Sequence, residues 1–382
     1  MIDFSLTDEQ KALQQMAKEF AEKEMRPNVA KYDKGEEFPE DIMKKAFEVG
    51  FMSSEIPEKY GGGGLSHVDT SIVCEELAWG CAGLYTTIMA NALAVTPIIS
   101  AGTEEQKKEF LIPFTKEMAL GAFCLTEREA GSDAGAVKTK AVKKGDEYII
   151  NGSKCFITNG GVASLYVVFT TTDPEKRARG MTAFIVPRDT EGITVGKIED
   201  KMGHRASNTA EIFFEDVKVP ARNMLGKEGM GFIIAMKTFE SSRPPVGAGG
   251  VGVAKAALEY AIDYSRTRKQ FGKPIAMFQG LTFKMAQMAA EINAARFLVW
   301  NAAWRLDKGL PIGKESAMAK MYGSDVAMKV TSEALDIFGG YGYMKDYPME
   351  KLMRDAKLLQ IYEGTNDIQR LIISRDIIGR LK

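Results

Sequence analysis

Residues 362–370, Tyr362-Glu363-Gly364-Thr365-Asn366-Asp367-Ile368-Gln369-Arg370, place one carboxylate at the junction of two predicted helices. Glu363 follows an apolar helical run that includes Leu358, Leu359 and Ile361, and a glycine follows it. A carboxylate in such surroundings is poorly hydrated, which raises its pKa toward the range where a general base works at neutral pH. A solvated carboxylate at a helix end has the same sequence pattern, and these nine residues alone favour that simpler interpretation.

A last helix is predicted after this junction. Thr365 is a suitable N-cap, because its hydroxyl can accept a hydrogen bond from a backbone N–H of the first turn. The buried stripe of the helix is predicted to consist of Ile368, Leu371, Ile372 and Ile378. Glu363 is therefore expected at a break between two helices.

The overall composition limits the class of protein. The 382 residues are 45% hydrophobic and 26% charged, which suits two or three domains with a large core. The net charge of −1 provides no basic field for nucleic acid or an anionic membrane. Four cysteines without a CxxC pair favour free thiols in a reducing compartment, and two distant histidines do not predict a metal site. No signal peptide is evident at the N-terminus, so a cytoplasmic protein is expected.

The pattern of apolar residues changes twice along the chain. Residues 1–118 predict helices, with a helix start at Thr7 and a capping box at Thr103. Residues 119–226 contain short β-rich runs separated by Gly, Asp and Pro, which predict an antiparallel barrel or sandwich. Residues 227–382 return to long helices typical of a bundle. The fold class is therefore α+β with several domains.

Two segments have sequence patterns that also occur in other classes of protein, namely membrane proteins and dinucleotide-binding proteins. The stretch from Leu77 to Thr103 has no charged residue, but its glycines, threonines and proline predict a buried helix pair and not a membrane span. Residues 247–252 fit the GxGxxG pattern of a dinucleotide site, but no strand precedes them. Close helix packing is the better interpretation of these glycines.

Three polar segments are candidates for ligand binding. The loop from Thr126 to Asp133 offers hydroxyls and backbone N–H groups for a heteroaromatic ring or a phosphate, although an ordinary turn has the same composition. Phe156 and Thr158 would lie on one face of a strand, as in a plain core strand. Arg268 either binds phosphate or is a solvated helix end.

Taken together, these segments resemble the acyl-CoA dehydrogenase family, in particular its short- and medium-chain members, over nearly the whole chain. The resemblance rests on the order and spacing of the motifs Thr126-Glu127 with Ala130-Gly131-Ser132-Asp133, Phe156-Ile157-Thr158-Asn159-Gly160, Met202-Gly203-His204-Arg205, Phe214-Glu215-Asp216-Val217-Lys218-Val219-Pro220, Arg268 with Phe271-Gly272-Lys273, Phe338-Gly339-Gly340-Tyr341-Gly342, Met353-Arg354-Asp355-Ala356 and Tyr362-Glu363-Gly364-Thr365.

The resemblance implies an N-terminal α-helical domain, a middle antiparallel β-barrel and a C-terminal four-helix bundle. It also implies FAD and a homotetramer, a dimer of dimers, in which a neighbouring subunit completes each flavin site. The implied FAD contacts are Phe123, Leu125, Thr126, Ser132, Phe156, Ile157 and Thr158 from the strands, Thr365 and Asp367 near the base, and Arg268, Gln270, Phe271, Gln279, Asp336, Ile337, Gly339 and Gly340 at the ADP portion. The implied substrate contacts are Ser132, Asn91, Arg243, Tyr362 and Gly364.

The implied reaction is α,β-dehydrogenation of an acyl-CoA thioester in fatty acid or carboxylic acid degradation. By motif match, Glu363 removes the α-proton, its backbone N–H and a flavin hydroxyl bind the thioester oxygen, and flavin N5 takes the β-hydride. Electrons would pass to electron-transfer flavoprotein. Some members carry the base beside the arginine that matches Arg243, but the neighbour here is Ser242. Glu240, two residues earlier, is expected to point elsewhere.

Three departures from the family pattern leave the acyl group open between short linear, branched and alicyclic chains such as cyclohexanecarboxyl. Arg128 replaces a proline beside the flavin loop, and Pro245 doubles Pro244 at the pocket helix. Asn91 is polar on the helix expected to form the pocket wall, but it adds no second acid.

Three alternatives remain. An acyl-CoA oxidase would use the same proton and hydride steps, although family oxidases usually carry an additional C-terminal domain that this sequence is not expected to have. A non-catalytic flavin-bearing relative that binds nucleic acid would need a basic surface, and 50 Lys+Arg against 51 Asp+Glu give no excess. A helical scaffold would not need Glu363 at the helix break.

Overall fold

The computed structural model describes residues 4–379. Helices form both ends of the chain, and strands form its middle. The helices before the strands are α1 Asp8–Phe20, α2 Val29–Tyr32, α3 Glu40–Glu48, α4 His67–Gly80, α5 Ala82–Ala101, α6 Glu104–Leu111 and α7 Pro113–Lys116. Those after the strands are α8 Gly231–Thr267, α9 Gln279–Asp307, α10 Gly313–Phe338, α11 Met349–Leu359 and α12 Asn366–Ile378. The predicted order of helices, strands and helices is confirmed.

The predicted helix starts are also confirmed. Thr7 and Thr103 each form a capping box, in which the threonine hydroxyl and a glutamine three residues later bond reciprocally to the backbone. The charge-free stretch forms α4 and α5, which meet at the extended residue Cys81. Among the described residues, α5 alone is long and apolar enough to cross a membrane, but 72% of its apolar window is buried inside the protein.

The middle strands form one eight-stranded sheet. Its strands are β1 Gly121–Cys124, β2 Lys140–Lys144, β3 Glu147–Thr158, β4 Leu165–Thr171, β5 Met181–Pro187, β6 Ile193–Ile198, β7 Thr209–Pro220 and β8 Met224–Leu225. The order in the sheet is β6-β7-β3-β2-β4-β5-β8, with β1 beside β4. A small hairpin, β9 Lys269–Gln270 and β10 Lys273–Pro274, lies apart from this sheet.

The prediction of an antiparallel β-barrel needs correction. β1 runs parallel to β4, with Gly121 opposite Leu165, and β2 makes a parallel bridge to β4. Within the part of the chain that the structure describes, the end strands β6 and β8 do not pair with each other, so the sheet is mixed and open. Sequence alternation reports which faces are buried but not strand direction, which depends on how the chain returns to the sheet.

The long C-terminal helices pack closely through small residues. α8 lies along α10 and also contacts α9 and α4. A Cβ atom on Gly247, Gly250 or Gly252 would approach backbone oxygens of Ala319, Gly323 or Glu75 to 2.6 Å or less. The GxGxxG stretch therefore permits close helix packing, as predicted. Pro244 and Pro245 lie inside α8 and not at its start.

The apolar stripe predicted for the last helix is less buried than expected. On α12, Ile378 is exposed, and Ile368, Leu371 and Ile372 line a cavity. Helical periodicity identifies an apolar face, but it does not specify what covers that face.

Candidate active site

A cavity of about 950 Å³, here called the main cavity, lies where the sheet meets α5, α8 and the α11–α12 junction. Its walls include Phe123 and Thr158 from the strands, Tyr85 from α5, Arg243 from α8 and Glu363 from the junction. The chain therefore brings residues from all three sections of the sequence to one place.

The junction between α11 and α12 is a tight reversal that presents Glu363. Glu363 has φ +54° and Gly364 has φ +89°, both in the left-handed region that residues other than glycine rarely adopt. Thr365 caps α12 as predicted, its hydroxyl accepting from the N–H of Ile368. The Gln369 side chain donates to the Glu363 and Gly364 carbonyl oxygens at 3.2 and 2.9 Å. These bonds stabilise the unusual backbone.

Glu363 is a poorly hydrated carboxylate. Burial raises its pKa, and the Ser242 hydroxyl, followed by the Arg243 and Lys320 cations, opposes that rise. The Ser242 hydroxyl donates a hydrogen bond to Glu363 Oε2. The result is a carboxylate whose ionised form is stabilised by specific partners in place of bulk water.

Two buried cations accompany this carboxylate. Lys320 has no exposed surface, and it donates to the Gly364 carbonyl oxygen at 2.9 Å and to Asn366 Oδ1 at 2.8 Å. Burial lowers the pKa of Lys320 to about 7, against the opposing effect of Glu363. Arg243 is 4% exposed, and its Nε is buried without a hydrogen-bond partner in the described part of the chain. A buried guanidinium N–H without a partner is costly, and the residue that carries it lines the main cavity.

The strand side of the main cavity has the features that FAD requires. The hydroxyls of Thr126, Ser132 and Thr158 face it, and in residues 4–379 none of the three bonds to another protein group. Phe156 lies at a β-bulge with φ +57° and is 64% exposed. A planar ring with polar edges would cover this aromatic surface and pair these hydroxyls.

A buried ion pair between Lys154 and Glu127 supports the loop that carries Leu125 and Thr126. Lys154 donates to Glu127 Oε1 at 2.7 Å and to the Leu125 carbonyl oxygen at 2.9 Å. Glu127 also accepts from the backbone N–H groups of Lys138 and Thr139. Burial lowers the pKa of Lys154, whereas the attraction of Lys154 holds the pKa of Glu127 below its ordinary value. Arg128, next in sequence, is exposed and pairs with Glu211.

The predicted site residues fall into two groups. Phe123, Leu125, Thr126, Ser132, Phe156, Ile157, Thr158, Arg243, Tyr362, Glu363, Gly364 and Thr365 line the main cavity. Arg268, Gln270, Phe271, Asp336, Ile337, Gly339 and Gly340 line a second cavity of about 650 Å³ that shares no residue with the first. Phe271 is 91% exposed there.

Three predicted site residues line neither cavity. Asn91 is buried and bridges the Ala119 carbonyl oxygen and the Gly121 N–H, so it joins α5 to β1 and does not line the main cavity. Gln279 is exposed at the start of α9. Asp367 is exposed and pairs with Arg370, one turn away on α12. Helical spacing places these residues near the site but does not decide which way their side chains point.

Several site residues were missed from sequence. Lys320 interrupts an alanine-rich face of α10, a pattern that indicates a buried lysine with a specific partner. Glu55 lines the main cavity from a loop that the sequence analysis did not associate with the site. Ser242 was considered only because it occupies the alternative position of the base. Glu240 lies outside the cavity lining, as predicted.

Comparison with known proteins gives matches over the whole chain. Models of the acyl-CoA dehydrogenase N-terminal, middle and C-terminal domains match residues 7–117, 122–217 and 229–378. The short-chain-specific acyl-CoA dehydrogenase of Clostridium acetobutylicum is 46% identical, covering 98% of this chain and 100% of that protein.

Solved structures agree with these matches. Butyryl-CoA dehydrogenase from Megasphaera elsdenii superimposes with a TM-score of 0.97 at 46% identity, covering 99% of this chain and 100% of that chain. A chain from a study of the electron transferring flavoprotein of Acidaminococcus fermentans superimposes with a TM-score of 0.97 at 48% identity, with the same coverage.

Proposed function

The chain belongs to the acyl-CoA dehydrogenase family of FAD-dependent oxidoreductases, and we propose that it converts an acyl-CoA thioester to the 2-enoyl-CoA with Glu363 as the base. The observation that carries this proposal is the placement of Glu363. Its carboxylate lines the main cavity, accepts a hydrogen bond from Ser242 and lies in the field of Arg243 and Lys320.

The physical argument concerns the strength of the base. An α-proton beside a thioester is weakly acidic, so its acceptor must be ionised yet poorly hydrated. Burial supplies the basicity of Glu363, and the Ser242 hydroxyl and the two cations keep the carboxylate ionised before substrate binds. The backbone N–H of Glu363 has no acceptor among the hydrogen bonds of residues 4–379 and is available to polarise the thioester oxygen.

FAD would be held by the two groups of residues already described. Phe156 and the free hydroxyls of Thr126, Ser132 and Thr158 would contact its ring system, and Arg268 with its neighbours would contact the ADP portion. When bound, FAD supplies the acceptor for the β-hydride. Arg243, Tyr362 and Gly364 would orient the thioester beside Glu363.

We also propose that the protein is a homotetramer of 42.0 kDa chains and passes electrons to electron-transfer flavoprotein. Two features support the assembly. The second cavity shares no lining residue with the first, and the aromatic side chains of Phe271, Tyr343 and Phe283 are each exposed, as expected of residues that a subunit contact would cover. Light scattering tests the tetramer by mass. Mixing subunits of Arg268→Ala with those of Glu363→Gln tests shared flavin sites, because mixed oligomers would regain activity.

Anaerobic titration of the purified flavoprotein tests the activity. Short linear, branched and alicyclic acyl-CoA thioesters should bleach the flavin absorbance, and the bleaching rates will rank the acyl groups. Glu363→Gln should keep FAD and bind thioester, yet lose turnover by about three orders of magnitude or more. Glu240→Gln, the matched control on α8, should retain turnover.

Two outcomes would contradict the proposal. Substantial bleaching by Glu363→Gln would mean that another group is the base. Rapid reoxidation of the bleached enzyme by air, without benefit from electron-transfer flavoprotein, would favour an oxidase instead.

A further inference from the structure

Glu55 adds a second carboxyl to the wall of the main cavity. It lies between two 3₁₀ turns, Phe51–Ser53 and Glu58–Tyr60, and lines the same cavity as Glu363. It interacts electrostatically with Glu363, and the buried Tyr85 phenol is influenced by both carboxylates. Glu55 therefore belongs to the side of the cavity formed by α5 and not to the strand side that fits FAD.

The two carboxyls have different surroundings. Glu363 has the Ser242 hydroxyl, Arg243 and Lys320 to stabilise its negative charge. Among the described residues, His67 is the one charged group that opposes the effect of burial on Glu55, and His67 is itself bonded to Asp307 at 2.8 Å. Burial, together with the charge of Glu363, raises the pKa of Glu55. Like charges in one cavity do not both ionise readily, so the partners of Glu363 favour the negative charge on that residue and the neutral form of Glu55.

Within residues 4–379, the Glu55 carboxyl has no hydrogen-bond or ion-pair partner. No hydrogen bond or ion pair of the described residues involves its side chain, and its accessible surface faces the cavity. A neutral carboxyl that faces a largely apolar wall, with Met89 and Leu93 nearby on α5, carries one unused O–H donor. Leaving such a donor unpaired when a ligand excludes water is costly, and a ligand oxygen would remove that cost.

We propose that Glu55 donates this hydrogen bond to an oxygen on the acyl chain, so that the preferred substrates are short acyl-CoA thioesters with a hydroxyl or carbonyl oxygen beyond the β-carbon. This inference rests on the proposed function. The oxygen must lie beyond the β-carbon because the α- and β-carbons are the reacting atoms. A carboxylate there is disfavoured, because it would place another negative charge beside Glu363.

Matched pairs of thioesters test the proposal. Pentanoyl-CoA and 4-hydroxybutanoyl-CoA differ only by a methyl group in place of a hydroxyl, as do hexanoyl-CoA and 5-hydroxypentanoyl-CoA. The quantity measured is the ratio of kcat/KM values within each pair. The wild type should favour the hydroxylated member of at least one pair by about tenfold or more.

Three variants identify the source of the preference. Glu55→Leu should abolish or reverse it, because the donor is lost and the wall becomes apolar. Glu55→Gln should keep it, because an amide still donates. Glu58→Leu, a change at an exposed glutamate in the same loop, should also keep it. Flavin content and circular dichroism verify that each variant is folded.

The inference is overturned if the wild type shows no preference in either pair, or if Glu55→Leu leaves the ratio unchanged. If pentanoyl-CoA still bleaches the flavin in that case, the role proposed for Glu55 fails but the proposed dehydrogenation does not. If no thioester bleaches the flavin, the proposed function fails. In that case, the dissociation constants of the two thioesters of each pair are compared in Glu363→Gln, with binding monitored by the change in flavin absorbance. Tighter binding of the hydroxylated member would show that Glu55 recognises an oxygen.

Discussion

The Lys320 ammonium group lies 2.9 Å from the Gly364 carbonyl oxygen, which joins the buried face of α10 to the turn that carries Glu363. The same ammonium group bonds to Asn366 at the start of α12. Lys320 therefore fixes both sides of the reversal at Glu363 and places a positive charge near that carboxylate.

Lys320→Met should shift the acid limb of the kcat/KM profile to higher pH by about one unit or more. Glu363 must be ionised to accept a proton, so activity falls as pH falls through its pKa. Removing the cation disfavours the carboxylate and raises that pKa further. Lys320→Arg keeps the charge, so its acid limb should lie closer to that of the wild type than the acid limb of Lys320→Met does. A loss of activity without a shift of the limb would mean that Lys320 acts only structurally.

Ser242→Ala should also raise the pKa of Glu363, because the serine hydroxyl donates to Glu363 Oε2 and opposes the effect of burial. Hydrogen bonds to a charged group contribute about 1.5–3 kcal/mol, so an upward shift of about one pH unit is expected. Ser265→Ala removes a buried serine of the same helix whose hydroxyl, within the described part of the chain, bonds to its own turn and to Met285. If both variants give the same profile, the Ser242 bond does not tune the base.

The free energy of unfolding should decrease as pH falls from about 6.5 to about 4 because of His204. Burial lowers the pKa of His204 to about 4, so between these values the unfolded chain binds a proton that the folded chain does not. The fully buried ring accepts from the Thr86 hydroxyl and donates to the Asp355 carbonyl oxygen. The contribution is about 3 kcal/mol over this range.

Denaturant unfolding across this pH range checks the role of His204. His204→Gln, which has no titrating ring, should show a shallower dependence than the wild type. If the free energy of unfolding depends on pH equally in the wild type and in His204→Gln, groups other than His204 cause the acid sensitivity.

Lys154→Met should destabilise the fold by about 3–5 kcal/mol and weaken FAD retention, because Glu127 becomes a buried charge without its counter-ion. The double variant with Glu127→Gln should recover part of the loss, since no unpaired charge is left buried and the single amide oxygen can still accept from one of the N–H groups of Lys138 and Thr139. Unfolding midpoints and the flavin-to-protein ratio measure the two effects. Equal losses in the single and double variants would show that the ion pair is not the cause.

Local rules predicted much of this fold from sequence. The capping boxes at Thr7 and Thr103 and the N-cap at Thr365 depend on residues within one turn, so sequence specifies them directly. The glycines at 247–252 also packed as predicted, because a missing side chain permits close approach of helices. Sheet closure and strand direction were not predicted correctly, since they depend on pairings between segments far apart in sequence.

For the site, sequence alone determined the residue types and the junction that holds Glu363, because a capped helix after a glycine is encoded in a few adjacent residues. Only the tertiary structure decided which side chains surround that carboxylate. Ser242, Lys320 and Glu55 come from three distant segments and meet at one cavity. The same long-range packing turned Asn91 away from the cavity. Whether a carboxylate is hydrated, paired or neutral depends on neighbours that only folding brings within a few ångströms, and no local pattern contains that information.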